Sequence, residues 1–381
     1  MNGREPRILI FTLHQGLSHV RIAQALQQAL IQARSSLKVE VVDALAHCTG
    51  WFRAYYDSYE LPLKYWPRLW EYIERRQHLG ESTGPRWLYR WGARPLFRFI
   101  EAFAPNIVIA TEVGLGEMAV LHKRQTKATY GLVGVCALDV DRPWAQPEVD
   151  LFISSPGEIA AQLKSLGVSS EKICECGMPV DPVFTSPRDK LDARARLGME
   201  GNLPVLLVNF GGSGKRKPRE VVTELRKIQR PLQIVFTSRR NKSLHKELLR
   251  LTEGMLHTRV LKWVDNLHEW MAAADLLVSR AGGSTTAEAL NSQLPILVFD
   301  APPGDERRLC ELMEKSWQTG CWVRRLDELA PLIDRLLAQP EELERLRNNA
   351  RQHAHPHAAC EAAQAILKLC PQSSYASTRL G

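Results

Sequence analysis

Several features that mark secreted, membrane-spanning or RNA-binding proteins are missing from this sequence of 381 residues. Its eight cysteines show no disulfide-framework spacing, and no run of about 18 apolar residues could cross a bilayer. The N-terminal MNGREPRILIF lacks the long apolar core of a signal peptide. No basic tail or aromatic RNA-binding motif points to nucleic acid. We therefore expect a cytoplasmic protein, without a nucleic-acid partner and touching membranes only peripherally.

Hydrophobic residues are plentiful, at 45% of the sequence. A chain of this length and composition can bury a substantial core, and it suggests two domains of ordinary size. Positive charge is in moderate excess, with a formal net charge of +8. The excess favours an anionic partner, such as a nucleotide or a membrane surface.

Short apolar segments alternate with segments of helical period in two successive series. The predicted strands of the first series are residues 7–11, 39–44, 106–111, 131–138 and 149–155, and those of the second are 204–210, 232–238, 259–264, 275–280 and 295–300. This alternation predicts an α/β protein with two tandem Rossmann-like domains, each a mostly parallel sheet covered by helices. Prolines interrupt the periodicity in residues 177–190. We predict domains at 1–185 and 186–370, the latter with C-terminal helices, and a disordered tail at 371–381.

Residues 51–100 combine tryptophan and arginine. They hold five of the ten tryptophans, and nine basic residues against five acids. Aromatic rings interleaved with cations suit the headgroup layer of an anionic bilayer, which makes Trp87, Arg90, Trp91 and Arg94 candidates for acceptor or membrane contact. A helical subdomain with aromatics in its core is the alternative, and both hold if only one face is exposed.

The stretch LLVSRAGGSTTAEAL, residues 276–290, breaks from an apolar strand into glycines and hydroxyl residues before a helix resumes. Gly282 and Gly283 allow backbone to approach a ligand closely. Ser284 and Thr285 can cap the helix and donate hydrogen bonds to a phosphate. Glu288, about one turn inside, could accept hydrogen bonds from the vicinal hydroxyls of a sugar. The pattern indicates a phosphate-binding turn with a hydroxyl-binding acid behind it.

Two further motifs follow strands that end at the same sheet edge. PPGDE, after the 295–300 strand, offers Asp305 and Glu306 to a polar ligand. A second glycine cluster contains Gly211, Gly212 and Ser213, but it has neither Walker A nor complete dinucleotide spacing. Glycine loops combined with carboxylates that bind hydroxyls suit the diphosphate and sugar of a nucleotide sugar.

These motifs carry a family resemblance. Residues 264–306, VDNLHEWMAAADLLVSRAGGSTTAEALNSQLPILVFDAPPGDE, resemble the donor-binding region of GT-B-fold glycosyltransferases. This family includes monogalactosyldiacylglycerol synthases, processive diacylglycerol glucosyltransferases and, more distantly, the MurG type. GLSHVRIAQAL (16–26), CGMPVDPVF (176–184) and VNFGGSG (208–214) match in the same order. The resemblance implies two domains that face each other across a cleft.

The resemblance also implies residue roles. The backbone at Trp263 and Val264 would hold uracil, the loop from Gly282 to Thr285 the phosphates, Glu288 the ribose, and Asp305 with Glu306 the transferred sugar. Asn241 matches a donor-side asparagine. His19 matches the histidine of an acceptor loop that begins at Gly16, in which Ser18 replaces the usual glycine. The usual His-Pro after the 106–111 strand reads Glu112-Val113.

A glycosyltransferase needs a base that deprotonates the acceptor hydroxyl, and imidazole titrates close to neutrality. We therefore predict that His19 is the catalytic base of an inverting transferase. It would move a hexose from UDP to a lipid hydroxyl at the inner face of the cell membrane, and the resemblance implies that the acceptor is diacylglycerol. We expect no cofactor, because the UDP-sugar is the substrate. Helix dipoles can stabilise the leaving diphosphate without a metal.

Alternatives remain open. The acceptor could be a polyprenyl-linked glycan or a terpenoid, the enzyme could be a UDP-sugar 2-epimerase, or the protein could be a non-catalytic lipid-binding relative. Asp139 and Asp141 form the D-x-D with which another glycosyltransferase fold binds manganese. That fold does not use two tandem domains of this kind, so we predict no metal site.

Overall fold

A computed structural model describes residues 5–14, 17–58, 60–80, 82–186, 188–210, 217–280, 282–302 and 304–370. The predicted disordered tail at 371–381 lies outside these ranges, as do Gly16, Gly211, Gly212 and Ser213 of the predicted site. The predictions for these residues therefore stay predictions.

The first half of the chain folds around a parallel six-stranded sheet in the order β2-β1-β3-β4-β5-β6. Its strands are β1 (Arg7–Thr12), β2 (Lys38–Asp43), β3 (Ile107–Ala110), β4 (Gly131–Ala137), β5 (Leu151–Ser154) and β6 (Ile173–Cys174). Eight helices accompany them: α1 (Leu17–Ala33), α2 (Gly50–Asp57), α3 (Glu60–Tyr65), α4 (Pro67–Leu79), α5 (Arg86–Gly92), α6 (Arg94–Phe103), α7 (Val113–Thr126) and α8 (Glu158–Ser165). We call this sheet with its helices the first unit.

A second parallel sheet has the order β12-β11-β10-β7-β8-β9. Its strands are β7 (Val205–Asn209), β8 (Gln233–Thr237), β9 (Thr258–Leu261), β10 (Leu276–Ser279), β11 (Ile296–Phe299) and β12 (Gly320–Val323). The remaining helices are α9 (Lys190–Arg196), α10 (Pro218–Leu225), α11 (Lys242–Leu251), α12 (Leu267–Ala273), α13 (Gly283–Asn291), α14 (Asp305–Glu311), α15 (Leu329–Ala338), α16 (Pro340–Gln352) and α17 (Ala358–Leu367). The second sheet with α9 to α16 is the second unit.

The predicted α/β architecture is confirmed, since every segment predicted as a strand contains one. The central strands β3, β5, β10 and β11 are buried along their whole length, as expected for a sheet covered on both faces. Two edge strands, β6 and β12, were not predicted. The domain boundary at residues 185 and 186 remains a proposal.

The last helix differs from expectation in its position. We assigned it to the second domain, but α17 packs against α1 of the first unit. Its buried face consists of Ala359, Ala362, Ala363 and Ile366, which share a core with α1. The chain therefore crosses between the units twice, once after β6 and once between α16 and α17.

The two crossings touch each other at Gly177. This residue has a φ of +92°, and a Cβ on it would lie 2.4 Å from the Cβ of His355. Only glycine combines this backbone conformation with so close a contact. Gly177 thus allows the two crossing segments to pack closely against each other where the chain changes units.

Candidate active site

The turn between β10 and α13 has the geometry of a ligand-binding helix start. Strand β10 is completely buried, and the helix begins immediately after Gly282. A Cβ on Gly282 would meet nothing within 4 Å, so the backbone faces open space. The first N–H groups of a helix lack intrahelical partners and carry the positive end of its dipole, which favours an anion. Thr285, in the first turn, is partly exposed.

Glu288 is the buried acid of this site. Its side chain is only 3% exposed, and its Oε1 accepts a hydrogen bond from Nη1 of Arg21 on α1. Within the described residues, Oε2 has no partner. Burial raises the pKa of Glu288 above its ordinary value, while the positive charges of Arg21 and Arg239 act in the opposite direction. The free, buried oxygen fits the hydroxyl-binding role predicted for this residue.

A cleft of about 550 Å³ runs between the two units. Ser18 and His19 line it from the first unit, and Gly282 and Gly283 line it from the second. Ser18 Oγ also accepts a hydrogen bond of 3.1 Å from the amide of Ser284. The predicted acceptor loop and the predicted phosphate turn are therefore in direct contact.

His19 is held with one ring nitrogen occupied. Its Nδ1 lies 2.7 Å from the carbonyl oxygen of Thr111. A carbonyl can only accept, so Nδ1 carries the proton and Nε2 keeps its lone pair. Burial lowers the pKa of His19 below its ordinary value of 6.5, although the bond to Thr111 opposes this shift. A neutral imidazole with a free Nε2 is the form that can accept a proton.

Acidic side chains dominate the polar lining of the cleft. Six carboxyl groups belong to it, those of Glu74, Glu112, Asp139, Asp141, Asp305 and Glu306, and no lysine or arginine is among the described residues that line it. The surface offered to a bound molecule is therefore negative. Such a surface favours hydroxyl donors, and it leaves the amides at the start of α13 as the place in the cleft where an anion can bind.

Arg308 of α14 forms ion pairs with several of these acidic side chains. Its guanidinium lies 2.5 Å from Glu74 Oε1, 2.6 Å from Asp139 Oδ2 and 2.5 Å from Asp305 Oδ1. Two sets of side chains have ligand atoms close enough for a metal ion: Glu74, His78 and Asp141, and Asp139, Asp141 and Asp305. The guanidinium already supplies a positive charge between these carboxylates. It also joins the second unit to α4 and to the loop after β4.

Glu112 is a cleft residue to which we gave no role. Its carboxylate caps α7 by accepting hydrogen bonds from the amides of Gly114 and Leu115, and it also accepts one of 2.9 Å from the hydroxyl of Tyr56. Burial raises its pKa above the ordinary value. The signal was its position two residues after β3, where the resemblance leads us to expect His-Pro.

The predicted sugar-binding acids differ in their surroundings. Asp305 is the first residue of α14 and is 64% exposed, whereas Glu306 is 30% exposed. Nη2 of the buried Arg280 lies 3.6 Å from Glu306 Oε2, and burial raises the pKa of Glu306. Arg280 follows β10 directly, and its Nε and Nη1 have no partner among the described residues. Sequence analysis missed this arginine.

The other predicted donor residues follow β8 and β9. Asn241 Oδ1 caps α11 by accepting from the amide of Leu244, so its side chain has a structural partner. Trp263 and Val264 follow β9, and the Arg240 guanidinium lies 4.5 Å from the Trp263 ring centroid. Because the strands are parallel, these residues lie beyond the same sheet edge as α13, although they do not line the cleft.

The tryptophan- and arginine-rich segment has two faces. Phe52, Tyr89, Leu96 and Phe97 are buried in the core of the first unit. The exposed aromatic residues are Trp51, Tyr55, Tyr65, Trp66, Tyr72, Trp87 and Trp91. The exposed arginines are Arg68, Arg75, Arg76, Arg86, Arg90, Arg94 and Arg98. We call these two exposed sets the aromatic-basic surface. The core interpretation is confirmed for the buried face, and membrane contact by the exposed face stays a prediction.

Trp87, Arg90, Trp91 and Arg94 belong to this surface and not to the cleft lining. The Arg94 guanidinium lies 4.3 Å from the Trp91 ring centroid. The same helical segment also reaches the cleft through Pro62 of α3 and Trp70 of α4. Among the helices in the described ranges, none has the length and apolarity needed to span a bilayer.

Comparison with known proteins gives matches to both halves of the chain. Residues 19–180 match the family model of monogalactosyldiacylglycerol (MGDG) synthase, and residues 206–362 match that of the glycosyltransferase family 28 C-terminal domain. The chain is 25% identical to monogalactosyldiacylglycerol synthase 2, chloroplastic, of Arabidopsis thaliana, with 97% of this chain and 82% of that protein covered. It is 24% identical to a processive diacylglycerol beta-glucosyltransferase of Bacillus cereus, with 82% and 81% covered.

A solved structure shares the fold. MurG of Acinetobacter baumannii superposes with a TM-score of 0.62 at 13% identity, with 95% of this chain and 99% of that chain covered. This likeness supports the two-unit architecture. Together with this fold, the matches in both halves show a GT-B-fold glycosyltransferase that is similar to monogalactosyldiacylglycerol synthases and processive diacylglycerol glucosyltransferases.

Proposed function

We propose that this protein moves a hexose from a UDP-sugar to a hydroxyl of a neutral membrane lipid, diacylglycerol, with inversion at the anomeric carbon. The observation that carries the proposal is the joint lining of one cleft by His19 and by the phosphate turn at Gly282 and Gly283. A base from one unit thereby meets a donor site from the other. The relatives named for synthesis on diacylglycerol add support.

In the proposed reaction, His19 Nε2 removes the proton of the acceptor hydroxyl while its oxygen attacks the anomeric carbon. The bond between that carbon and the diphosphate oxygen breaks, and UDP leaves with the negative charge. The unpaired amides at the start of α13 would stabilise this charge. A single displacement inverts the anomeric configuration.

The charge of the cleft favours a neutral acceptor. Six carboxyl groups line it, and its described lining contributes no cationic side chain. A lipid that carries a pyrophosphate, as a polyprenyl-linked glycan does, would place a further diphosphate, besides that of the donor, against these acids. A diacylglycerol offers an uncharged hydroxyl. The acids would also favour the positive charge that develops on the sugar ring as the diphosphate departs.

The lipid acceptor would enter from a membrane. Helices α3 and α4 contribute Pro62 and Trp70 to the cleft, while Tyr65, Trp66 and Tyr72 of the same segment face outward. Exposed aromatic rings beside arginines suit the headgroup layer of an anionic bilayer. We propose that the aromatic-basic surface rests on the inner face of the cell membrane and that the cleft opens beside it.

The test is UDP release from UDP-glucose and UDP-galactose, measured with and without vesicles that contain diacylglycerol. Lipid products are resolved by mass, and a chelator is added in a parallel series. We expect vesicle-dependent release, a hexosylated diacylglycerol, and no loss of rate with the chelator. UDP release without any lipid product would favour a different acceptor or an epimerase.

A further inference from the structure

The contact between α1 and α13 points to a donor-site residue in the first unit. We propose that Arg21 is a positioning residue of the donor site, which holds one oxygen of Glu288 so that the other accepts hydrogen bonds from the ribose. This inference rests on the proposed function, because it takes the donor to be a UDP-sugar. Neither the motifs nor the family resemblance assigned a role to Arg21.

The ion pair between Arg21 and Glu288 is buried and joins the two units. The side chains are 27% and 3% exposed, and the residues are 267 positions apart in the sequence. A carboxylate this deeply buried is strongly destabilised unless a cation and hydrogen bonds compensate it. Arg21 supplies both to Oε1 and leaves Oε2 without a partner among the described residues.

The unpartnered oxygen has the chemistry needed for a ribose. An ionised carboxylate oxygen is a strong acceptor for hydroxyl donors, and a vicinal diol presents two of them. If Oε1 were not held, the carboxyl group could rotate, and burial would favour its protonated form. Arg21 therefore fixes both the orientation and the charge state in which Glu288 can bind a diol.

The same helix turns also carry the proposed base. Ser18 accepts a hydrogen bond from the Ser284 amide, His19 faces the cleft, and Arg21 reaches Glu288. The start of α1 therefore touches the donor helix at two points on either side of the base. Arg21 itself does not reach the reacting atoms, so its loss should affect donor binding more than turnover at saturating donor.

The pH dependence of UDP binding separates this role from a purely structural one. The charged groups that act on Glu288 are Arg21, Arg239 and Asp181, of which only Asp181 raises its pKa. Without Arg21, the pKa of Glu288 would rise further above its ordinary value. UDP binding that needs the carboxylate is lost as the pH is lowered. In a variant without Arg21, this loss would begin at a higher pH than in the unchanged protein.

The experiment compares Arg21→Gln and Arg21→Lys with the unchanged protein by calorimetric UDP binding between pH 5 and 8 and by steady-state kinetics. We expect Arg21→Gln to bind UDP about 10- to 30-fold more weakly at neutral pH, the loss of one charged hydrogen-bonding partner. The pH at which UDP affinity is half lost on acidification should be higher than in the unchanged protein. The KM of this variant for the donor should rise by a larger factor than its kcat falls. Arg21→Lys should recover at least part of the affinity.

The matched control is Arg124→Gln. Arg124 lies on α7 and forms an exposed ion pair with Glu148, so this variant removes the same charge away from the site. Unchanged UDP affinity and pH midpoint in Arg21→Gln would overturn the inference and leave the proposed function intact. Absence of UDP binding by the unchanged protein would instead refute the proposed donor. If Arg21→Gln unfolds at the assay temperature, the test rests on Arg21→Lys. A loss of UDP affinity in Arg21→Lys as large as that expected for Arg21→Gln would overturn the role of the Arg21 charge.

Discussion

At the scale of single residues, His19 combines a fixed tautomer with a lowered pKa. Thr111 accepts from Nδ1, and burial favours the neutral imidazole. A neutral base stays active down to a lower pH than an exposed histidine would, and its activity is lost only when the pH falls through the lowered pKa. The rate should therefore hold steady from pH 8 down to 6.5, the ordinary pKa of histidine, and decline only at lower pH, as the pH falls through the lowered pKa.

Replacement of His19 by alanine should reduce kcat about 100-fold or more, the usual contribution of a general base. UDP affinity should change little, because the imidazole is not assigned to the donor. The control is His357→Ala, an exposed histidine that does not line the cleft. Near-normal turnover in the His19 variant would remove this residue as the base.

Candidate donor residues could be proposed from the sequence because they follow one another along a single turn and helix. Gly282, Gly283 and Glu288 are recognisable from local sequence alone. Their partners were not recognisable: Arg21 meets Glu288 only after two units have folded against each other. Arg308 likewise reaches Asp139 across 169 positions of sequence. Local patterns predict which residue types can bind a ligand, but not which distant side chains complete the site.

At the scale of secondary structure elements, α5 presents Trp87 and Trp91 at 65% and 56% exposure. Rings this exposed add little to folding, so their replacement tests the membrane role directly. Trp87→Ala with Trp91→Ala should weaken binding to anionic vesicles without lowering the unfolding temperature. The comparison is Leu256→Ala, an 82% exposed apolar residue of the second unit.

The arginines beside these rings should contribute electrostatically. Replacement of Arg90 and Arg94 by glutamine should weaken vesicle binding about 20- to 30-fold at low salt, at about 1 kcal/mol for each cation. The difference should shrink as salt rises, because ions screen exposed charges. Equal vesicle binding by this variant and the unchanged protein at all salt concentrations would make these arginines solvated surface residues.

Helix α17 should be a stability element of the first unit. Ile366 is completely buried between α17 and the α1 layer, so Ile366→Ala should lower the free energy of unfolding by about 2–5 kcal/mol. Leu249→Ala, at a half-exposed position on α11, should change it far less. Chemical denaturation measures both, and equal effects would show that α17 adds no packing.

The elements missed from sequence are those with weak local signals. Strand β6 has only two residues, and β12 begins with a glycine and contains partly exposed positions. Both lie at sheet edges, where one side lacks a neighbouring strand. The position of α17 was also unpredictable, because its small-residue face matches any close-packed helix and does not specify which unit it joins.

At the scale of the whole molecule, ion pairs join the units on both sides of the cleft. Arg21 pairs with Glu288, and Arg308 pairs with Glu74 and Asp139. In the first pair the cation comes from the first unit and the acid from the second. In the pairs of Arg308 the cation comes from the second unit and the acids from the first. Opening of the cleft would expose buried charge at both places, so the proposed binding of the donor would be energetically linked to the relative position of the units.

The double crossing of the chain has a consequence for backbone cleavage. A site-specific protease that cuts after an engineered recognition sequence at Arg188 would leave two fragments, with α17 on the C-terminal fragment and α1 on the N-terminal one. Since these helices share a core, the nicked protein should elute as one species under native conditions and as two only after denaturation. Separation of the fragments under native conditions would mean that the covalent link, and not the packing of α17 on α1, keeps the two units together.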